Sequence, residues 1–239
     1  MAETSIAGQL NEQERRILTA AVRDAAKKPD VVMEVGTWLG GGSTLHFLRA
    51  LHENGQGHLW GIEADRGIYE RMIQNIRDAA PEAAARFTPV FGRSQEAIPQ
   101  WLSERGVKET VDLVFLDGGD NPLEQITEFK LLADRIPIGG RLLAHDAKLR
   151  KGKWLRPYLS LLDNWRVQLH DVSGEGLLEA VKLRGHPGAE SLRAAEAKLF
   201  LLRLDPVEVA GSLLPRRICE IILGAMPAKL MRRVSQGRK

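Results

Sequence analysis

Five short apolar runs alternate with helical patterns along most of the chain, and this alternation constrains the fold more than any other feature of the sequence. The apolar runs are VVMEVG, HLWGIEA, FTPVFG, VDLVFLD and RLLAHD, and a segment with helical spacing of apolar residues follows each of them. Strands that alternate with helices in this way form a parallel sheet whose right-handed crossover helices cover both faces. Further on, WRVQLHDV and LLEAVKL flank the turn SGEG and predict an antiparallel hairpin. We therefore predict an α/β fold with a doubly wound, mostly parallel sheet that ends in this hairpin.

The two ends of the chain add helices to this core. Asn11 and Glu14 stand in capping-box spacing before apolar residues at helical intervals, which predicts an amphipathic helix over residues 11–28. The break His186-Pro187-Gly188 precedes a further helical pattern near residues 189–203. We predict one main domain over residues 1–185, and a C-terminal helical extension over residues 186–239 that is not an independent domain.

The extension carries apolar segments with basic residues between them, interrupted by Pro215 and Pro227. It could be a lid, a contact in a homo-oligomer or an interfacial membrane helix. Lid or subunit packing is favoured over membrane binding, because the prolines divide the segment into short pieces.

Composition restricts the compartment and the partners. The N-terminus has no targeting pattern, no apolar stretch approaches twenty residues, and Cys219 is the only cysteine, which together predict a cytoplasmic protein. Residues 215–239 hold seven basic residues and one acidic residue, so the tail contributes +6 to a net charge of +3 and the remainder carries −3. The basic character belongs to the tail, and we expect no nucleic-acid partner.

The glycine-rich stretch VVMEVGTWLGGGST, residues 31–44, predicts where a ligand binds. At the first βα turn of such a sheet, strand ends and a helix N-terminus direct backbone N–H groups into one crevice, and glycines let a ligand approach them. A dinucleotide fingerprint would need a glycine two residues after Gly36, and that position is Trp38. A nicotinamide-dependent oxidoreductase is therefore the weaker alternative.

The stretch resembles motif I of class I S-adenosylmethionine-dependent methyltransferases, in particular the small O-methyltransferases related to catechol O-methyltransferase and the macrocin O-methyltransferase group. The resemblance covers roughly residues 30–185 and implies a Rossmann-like sheet, S-adenosylmethionine as cofactor and a small-molecule acceptor with a phenolic or sugar-like hydroxyl. One departure is that three glycines, where two are expected, precede Ser43.

The resemblance also implies a set of cofactor-binding residues. Glu63 ends the second predicted strand, where a carboxylate can accept hydrogen bonds from ribose hydroxyls. Ser94 follows the third strand beside the expected adenine position, and it could also be a helix N-cap. The full predicted set is Glu34, Gly36, Gly40, Ser43, Glu63, Ser94 and Asp117.

Acidic residues end the fourth and fifth predicted strands and are the candidates for catalysis. Asp117 closes VDLVFLD, and His145 and Asp146 close RLLAHD, so the two carboxylates should lie near each other. Such a pair can bind Mg²⁺ or share a proton. The catechol-type enzymes have an asparagine after the second aspartate, and here that residue is Ala147.

Two interpretations of this acidic edge therefore stay open. In one, Asp117 and Asp146 bind Mg²⁺ with Asp120, Asn121 or His145 completing the ligand set. In the other, the reaction needs no metal and His145 or Asp120 is the general base.

A basic run follows the fifth predicted strand and consists of Lys148, Arg150, Lys151, Lys153 and Arg156. A solvated loop is the ordinary interpretation of such a run, and contact with a phosphate or carboxylate of the acceptor is the functional one. A third class of function, a non-catalytic scaffold that only binds the cofactor, is also compatible with the sequence.

Overall fold

The computed structural model describes residues 6–106 and 109–204 and confirms the predicted α/β fold. The strands form one seven-stranded sheet in the order β3-β2-β1-β4-β5-β7-β6. Strands β1 to β5 are parallel, and β7 is antiparallel to both β5 and β6. Their bounds are Val31–Val35 (β1), His58–Glu63 (β2), Phe87–Phe91 (β3), Leu113–Leu116 (β4), Arg141–Ala144 (β5), Trp165–His170 (β6) and Leu177–Lys182 (β7).

Seven α-helices accompany the sheet in the described ranges. They are Glu12–Arg23 (α1), Thr44–Asn54 (α2), Arg66–Ala79 (α3), Ser94–Arg105 (α4), Pro122–Leu132 (α5), Leu155–Leu159 (α6) and Ala189–Arg203 (α7). Two short 3₁₀ turns span Ala84–Arg86 and Lys151–Lys153. Every described helix is too short or too polar to cross a bilayer.

Both faces of the sheet are buried, which explains why the central strands are continuously apolar. Val31, Met33 and Val35 pack into a hydrophobic cluster with α4 to α7. Val32 lies in a second cluster with α1, α2 and α3. Successive side chains of a strand point to opposite faces, so Glu34 lies on the same side of the sheet as Val32.

The N-terminal helix is held in place by its cap and by a close backbone approach. The capping box predicted from Asn11 and Glu14 is present, with Glu14 N–H donating to Asn11 Oδ1 at 2.9 Å. The helix ends at Arg23, short of the predicted residue 28. Before it, the backbone of Ile6 and Ala7 passes so close to Gly41 that a Cβ on Gly41 would lie 2.3 Å from the Ile6 oxygen. Gly41, within the unusual run of three glycines, thus accommodates the N-terminal segment.

The predicted hairpin and the helix near residues 189–203 are both present, as β6, β7 and α7. Helix α7 buries Ala195 and Leu199 in the main core, and Glu196 on the same helix accepts a hydrogen bond from Tyr158 on α6 at 2.6 Å. The first part of the predicted extension therefore packs on the domain. Residues 205–239, with Cys219, both prolines and the basic tail, lie outside the described residues, so the extension's role and the domain boundary remain predictions.

We expect Gly41→Ala to destabilise the protein by about 1–3 kcal/mol, because the new methyl group would collide with the N-terminal segment. Gly42→Ala is the matched control, since its Cβ would meet no atom closer than 3.7 Å. The measurement is urea denaturation of both variants. Equal stability of the two would show that the segment does not pack on the loop.

Candidate active site

A cavity of about 520 Å³ opens at the carboxyl ends of strands β1 to β5. This edge of a doubly wound sheet is where ligands bind, because the strand order reverses there and neighbouring loops diverge. The wall combines glycines, carboxylates and one lysine with a few apolar side chains. It comprises Gln9, Val35, Gly36, Trp38, Ile62, Glu63, Ala64, Ile68, Gly92, Arg93, Ser94, Gln95, Asp117, Gly118, Gly119, Asp120, Glu124, Glu128, Asp146 and Lys151.

The loop after β1 brings bare backbone to this cavity. Gly36 has φ of +87°, and a Cβ on it would lie 2.5 Å from the nitrogen of Gly118. Only glycine fits there, because the first βα turn lies directly against the turn after β4. Trp38 also has a positive φ, +46°, which is costly for a side chain of this size. Its side chain is half-buried and lines the cavity, so it can contact a ligand there.

Glu63 is fixed at the end of β2 by three backbone amides. Its Oε2 accepts from the N–H of Trp38 at 3.0 Å, and its Oε1 accepts from Ala64 at 2.9 Å and Asp65 at 3.0 Å. A carboxylate has about four acceptor positions, so one remains for a ligand hydroxyl. The strained turn at Trp38 and the orientation of Glu63 are therefore coupled.

Ser94 and Glu128 form a buried pair on the cavity wall. The Ser94 hydroxyl donates to Glu128 Oε1 at 2.5 Å. Ser94 is the first residue of α4, whose N-cap is Arg93, so the N-cap interpretation is wrong. Burial raises the pKa of Glu128 to about 7, although the hydrogen bond from Ser94 opposes this shift. Its Oε2 is buried and has no partner among the described residues.

Glu34, Gly40 and Ser43 do not contribute to the wall of this cavity. Glu34 is fully buried behind the loop and accepts a hydrogen bond from the Ser43 hydroxyl. Gly40, with φ of +87°, turns the loop against Ile76 of α3. These three residues shape the loop, and their predicted contact with a cofactor remains a prediction.

The acidic residues predicted at the ends of β4 and β5 do meet. Asp117, His145 and Asp146 offer atoms that all lie within 4.8 Å of one another. His145 Nδ1 is 3.2 Å from Asp117 Oδ1 and 3.4 Å from Asp146 Oδ1. Asp146 itself has φ of +59°, a backbone conformation that Asp adopts more readily than most residues.

His145 is held between carboxylates on both sides. Its Nε2 lies 3.3 Å from Glu14 Oε1, so α1 reaches the site from 131 residues away. Burial alone would lower the pKa of His145, but Asp117, Glu14 and Asp146 outweigh it and raise the pKa to about 10. Burial would raise the pKa of Glu14, yet bonds with His145, Ser173 and Asn11 bring it to about 2. His145 is thus a charged structural link, which argues against it as the general base.

Lys151 supplies the second positive charge of the site. Its Nζ lies 2.8 Å from Asp117 Oδ1 and 2.8 Å from Asp146 Oδ2, and the side chain is only 5% exposed. Burial would lower the Lys151 pKa, but the two carboxylates outweigh it and raise the pKa. The solvated-loop interpretation of the basic run is therefore wrong for this residue.

These residues do not fit a divalent cation well. The third ligand position of the catechol-type pattern is Ala147, which offers no side-chain oxygen. The space between the two carboxylates is taken by the Lys151 ammonium, and His145 contacts the same oxygen of Asp117 and the other oxygen of Asp146. Mg²⁺ needs oxygen ligands at about 2.0–2.1 Å in octahedral geometry. The predicted Mg²⁺ pair remains a prediction that this geometry does not favour.

Comparison with known proteins gives the class of the domain. Residues 33–147 match the model of a family described as a methyltransferase domain. The match indicates a methyltransferase domain over residues 33–147, and the sheet that carries it is Rossmann-like. A comparison with curated proteins finds no match.

Solved structures share the fold at low identity. An O-methyltransferase from Bacillus cereus in complex with SAH is 18% identical, with a TM-score of 0.60 over 76% of this chain and 86% of that one. A methyltransferase from Geobacter sulfurreducens is 18% identical, with a TM-score of 0.58 over 73% and 80%. An rRNA methylase from Streptococcus thermophilus is 15% identical, with a TM-score of 0.53 over 77% and 99%.

Sequence reasoning missed Glu14, Glu128 and the specific place of Lys151. Glu128 stands between the buried residues Gln125 and Phe129 on α5, so a carboxylate on the buried face of a helix was the available signal. Glu14 was explained by the capping box alone, although its other oxygen faces His145. No local pattern marks Lys151, because five basic residues lie between positions 148 and 156.

We expect wild-type stability to fall as pH rises from about 5 to 8, partly through Glu34. Burial raises the pKa of Glu34 from 4.5 to about 8. Between those values the unfolded chain has released this proton and the folded chain has not, so stability present at low pH is lost on the way up. Over the same pH range, the free energy of unfolding of Glu34→Gln should fall by on the order of 2–4 kcal/mol less than that of the wild type. Urea denaturation at several pH values measures it, with exposed Glu82→Gln as control. A pH dependence that Glu34→Gln leaves unchanged would contradict a buried, protonated Glu34.

Proposed function

We propose that this protein transfers the methyl group of S-adenosylmethionine to a hydroxyl group of a small molecule. The observation that carries the proposal is one cavity with two chemically different ends. One end holds Glu63, fixed by backbone amides, and the other holds the charged cluster of Asp117, Asp146 and Lys151. The methyltransferase family match over residues 33–147 supports the same conclusion.

The donor end fits a nucleoside with an attached amino acid. Glu63 would accept a hydrogen bond from a ribose hydroxyl at its one free acceptor position, and the backbone at Gly36, on the cavity wall, would let the methionyl part approach. Ser94 and Glu128, which both border the cavity, would lie along the adenine side. When bound, S-adenosylmethionine supplies an electrophilic methyl group on a sulfonium.

The acceptor end must hold a hydroxyl oxygen in line with that methyl group and take up its proton. Positioning of the two reactants can supply most of the rate enhancement. Asp120 is exposed on the cavity wall, three residues after Asp117 in the chain, and we assign it the role of general base. Asp146 is a weaker candidate, because one of its oxygens is bonded to Lys151 and the other faces His145.

The oxidoreductase alternative is disfavoured by the first βα turn. A dinucleotide requires bare backbone where this chain has Trp38, and that side chain lines the cavity. Burial of so many charges is costly unless each has a partner. A protein that only binds the cofactor would have little use for such a cluster at the opposite end of the cavity.

The wider setting is proposed from the sequence. A cytoplasmic location is part of the proposal, and the single cysteine, which allows no disulfide within the chain, is compatible with it. The acceptor is expected to be phenolic or sugar-like, and the rRNA methylase among the structural neighbours makes RNA the competing class of acceptor. A homo-oligomer would involve the extension after residue 186.

Titration calorimetry with S-adenosylhomocysteine, beside NAD, is the direct test. We expect S-adenosylhomocysteine to bind and NAD not to bind. Glu63→Gln should weaken binding about 10-fold or more, because a charge-assisted hydrogen bond to the ribose contributes roughly 1.5–3 kcal/mol. Exposed Glu70→Gln on α3 is the matched control. Binding of NAD, or of neither compound, would overturn the proposal.

Methyl transfer to a panel of phenols and glycosides, with RNA as a comparison, tests the acceptor class. Asp120→Asn should lower kcat about 10²–10⁴-fold, the usual contribution of a general base, and leave S-adenosylhomocysteine affinity unchanged. The control is exposed Asp78→Asn on α3. Transfer to RNA alone, or full activity of Asp120→Asn, would contradict the assigned acceptor or base.

A further inference from the structure

We infer that the Lys151 ammonium is the built-in cation of this site, that it binds the acceptor oxygen, and that methyl transfer needs no divalent metal. The inference rests on the proposed function and deepens it. It assigns to one side chain of the chain the charge that a divalent ion would supply between the carboxylates at the ends of β4 and β5.

The first argument is the position of the ammonium group. Nζ lies at 2.8 Å from one oxygen of Asp117 and at the same distance from one oxygen of Asp146. These are the distances of charge-assisted hydrogen bonds. An ion bound to the same two oxygens would have to occupy the space that Nζ fills. With His145 on the remaining side, two positive side chains face the two aspartates, and Glu14 is a third carboxylate on the far side of His145.

The second argument is that the backbone is shaped to deliver Lys151. The 3₁₀ turn Lys151–Lys153 folds back on the end of β5. The N–H of Gly152 donates a hydrogen bond to the backbone carbonyl oxygen of Asp146 at 3.2 Å. A Cβ on Gly152 would lie 2.4 Å from the Cα of Ala147 and 2.6 Å from the Asp146 oxygen. A glycine after Lys151 is thus required for this approach.

The third argument is that Lys151 faces the cavity, although its side chain is almost completely buried. An ammonium has three N–H donors. Two serve the aspartates, and the third can donate to an oxygen in the cavity. A lysine buried only for stability would have no reason to border the ligand space.

The chemistry balances without a further reactant. The acceptor oxygen forms a bond to the methyl carbon while the carbon–sulfur bond breaks, and that electron pair stays on sulfur as a neutral thioether. The hydroxyl proton passes to a carboxylate, which we assign to Asp120. The ammonium keeps its proton throughout and stabilises the negative charge that develops on the oxygen.

Binding of Mn²⁺ as a probe ion tests the inference independently of turnover. Electron paramagnetic resonance of free Mn²⁺ should show no specific binding to the wild type. Lys151→Ala should open the aspartate pair and bind Mn²⁺ at least 10-fold more tightly, with a Kd on the order of 10⁻⁴ M or lower. Mn²⁺ should also raise the Tm of Lys151→Ala and leave that of the wild type unchanged.

Lys148→Ala is the matched control. Lys148 lies on the same loop, pairs with Asp171 at 2.5 Å and does not border the cavity. It should behave like the wild type in the Mn²⁺ assay. If Lys151→Ala does not fold, the titration of the wild type with Mn²⁺ still tests the inference. Binding of Mn²⁺ to the wild type that is lost in Asp146→Asn would overturn it.

Activity measurements distinguish a failure of this inference from a failure of the proposed function. With an acceptor from the panel, wild-type protein dialysed against EDTA should retain its full rate, and Lys151→Ala should lose about 10²–10³-fold, as when one oxyanion donor is removed. A rate lost to EDTA and restored by Mg²⁺ would overturn the inference and leave the methyltransferase intact. Failure to bind S-adenosylhomocysteine would instead refute the proposed function.

Discussion

The pairing of buried charges at the ends of β4 and β5 is the constraint on which the rest of the site depends. Asp117, Asp146, His145, Lys151 and Glu14 all lie within one group of contacts. A buried charge without a partner is strongly destabilising, whereas a complete set can be accommodated. Loss of any member would therefore disturb all the others. The cluster also connects parts of the chain that are far apart in sequence.

One such connection joins the N-terminal helix to the catalytic edge of the sheet. Helix α1 contributes Glu14 to the charged cluster, and the segment before it lies against Gly41 and places Gln9 on the cavity wall. The N-terminal part of the chain is thus part of the site and not an addition to it. Folding of the helix and assembly of the charged cluster should be coupled, because His145 bonds to both Asp117 and Glu14.

Much of the fold and part of the site could be predicted from the sequence. The sheet and hairpin follow from local runs of apolar residues, and the tight turn at Gly36 follows from glycine spacing. Glu63, Asp117 and Asp146 were identified because parallel strands bring their carboxyl ends to one edge. The roles of His145 and Lys151 could not be predicted in this way. Both depend on partners that lie on other elements, and a basic run in a sequence gives no sign of which lysine turns inward.

By itself, the sequence determined which residues end each strand, since the period of the apolar pattern and the positions of glycines are local properties. Only the tertiary structure decided which charges meet. It placed Glu14 and His145 together across 131 residues and put Lys151 between two aspartates. The physical reason is that the interaction between two charges depends on the distance between them and on how deeply they are buried. Both are set by the packing of helices and loops around the sheet and not by neighbours in the chain.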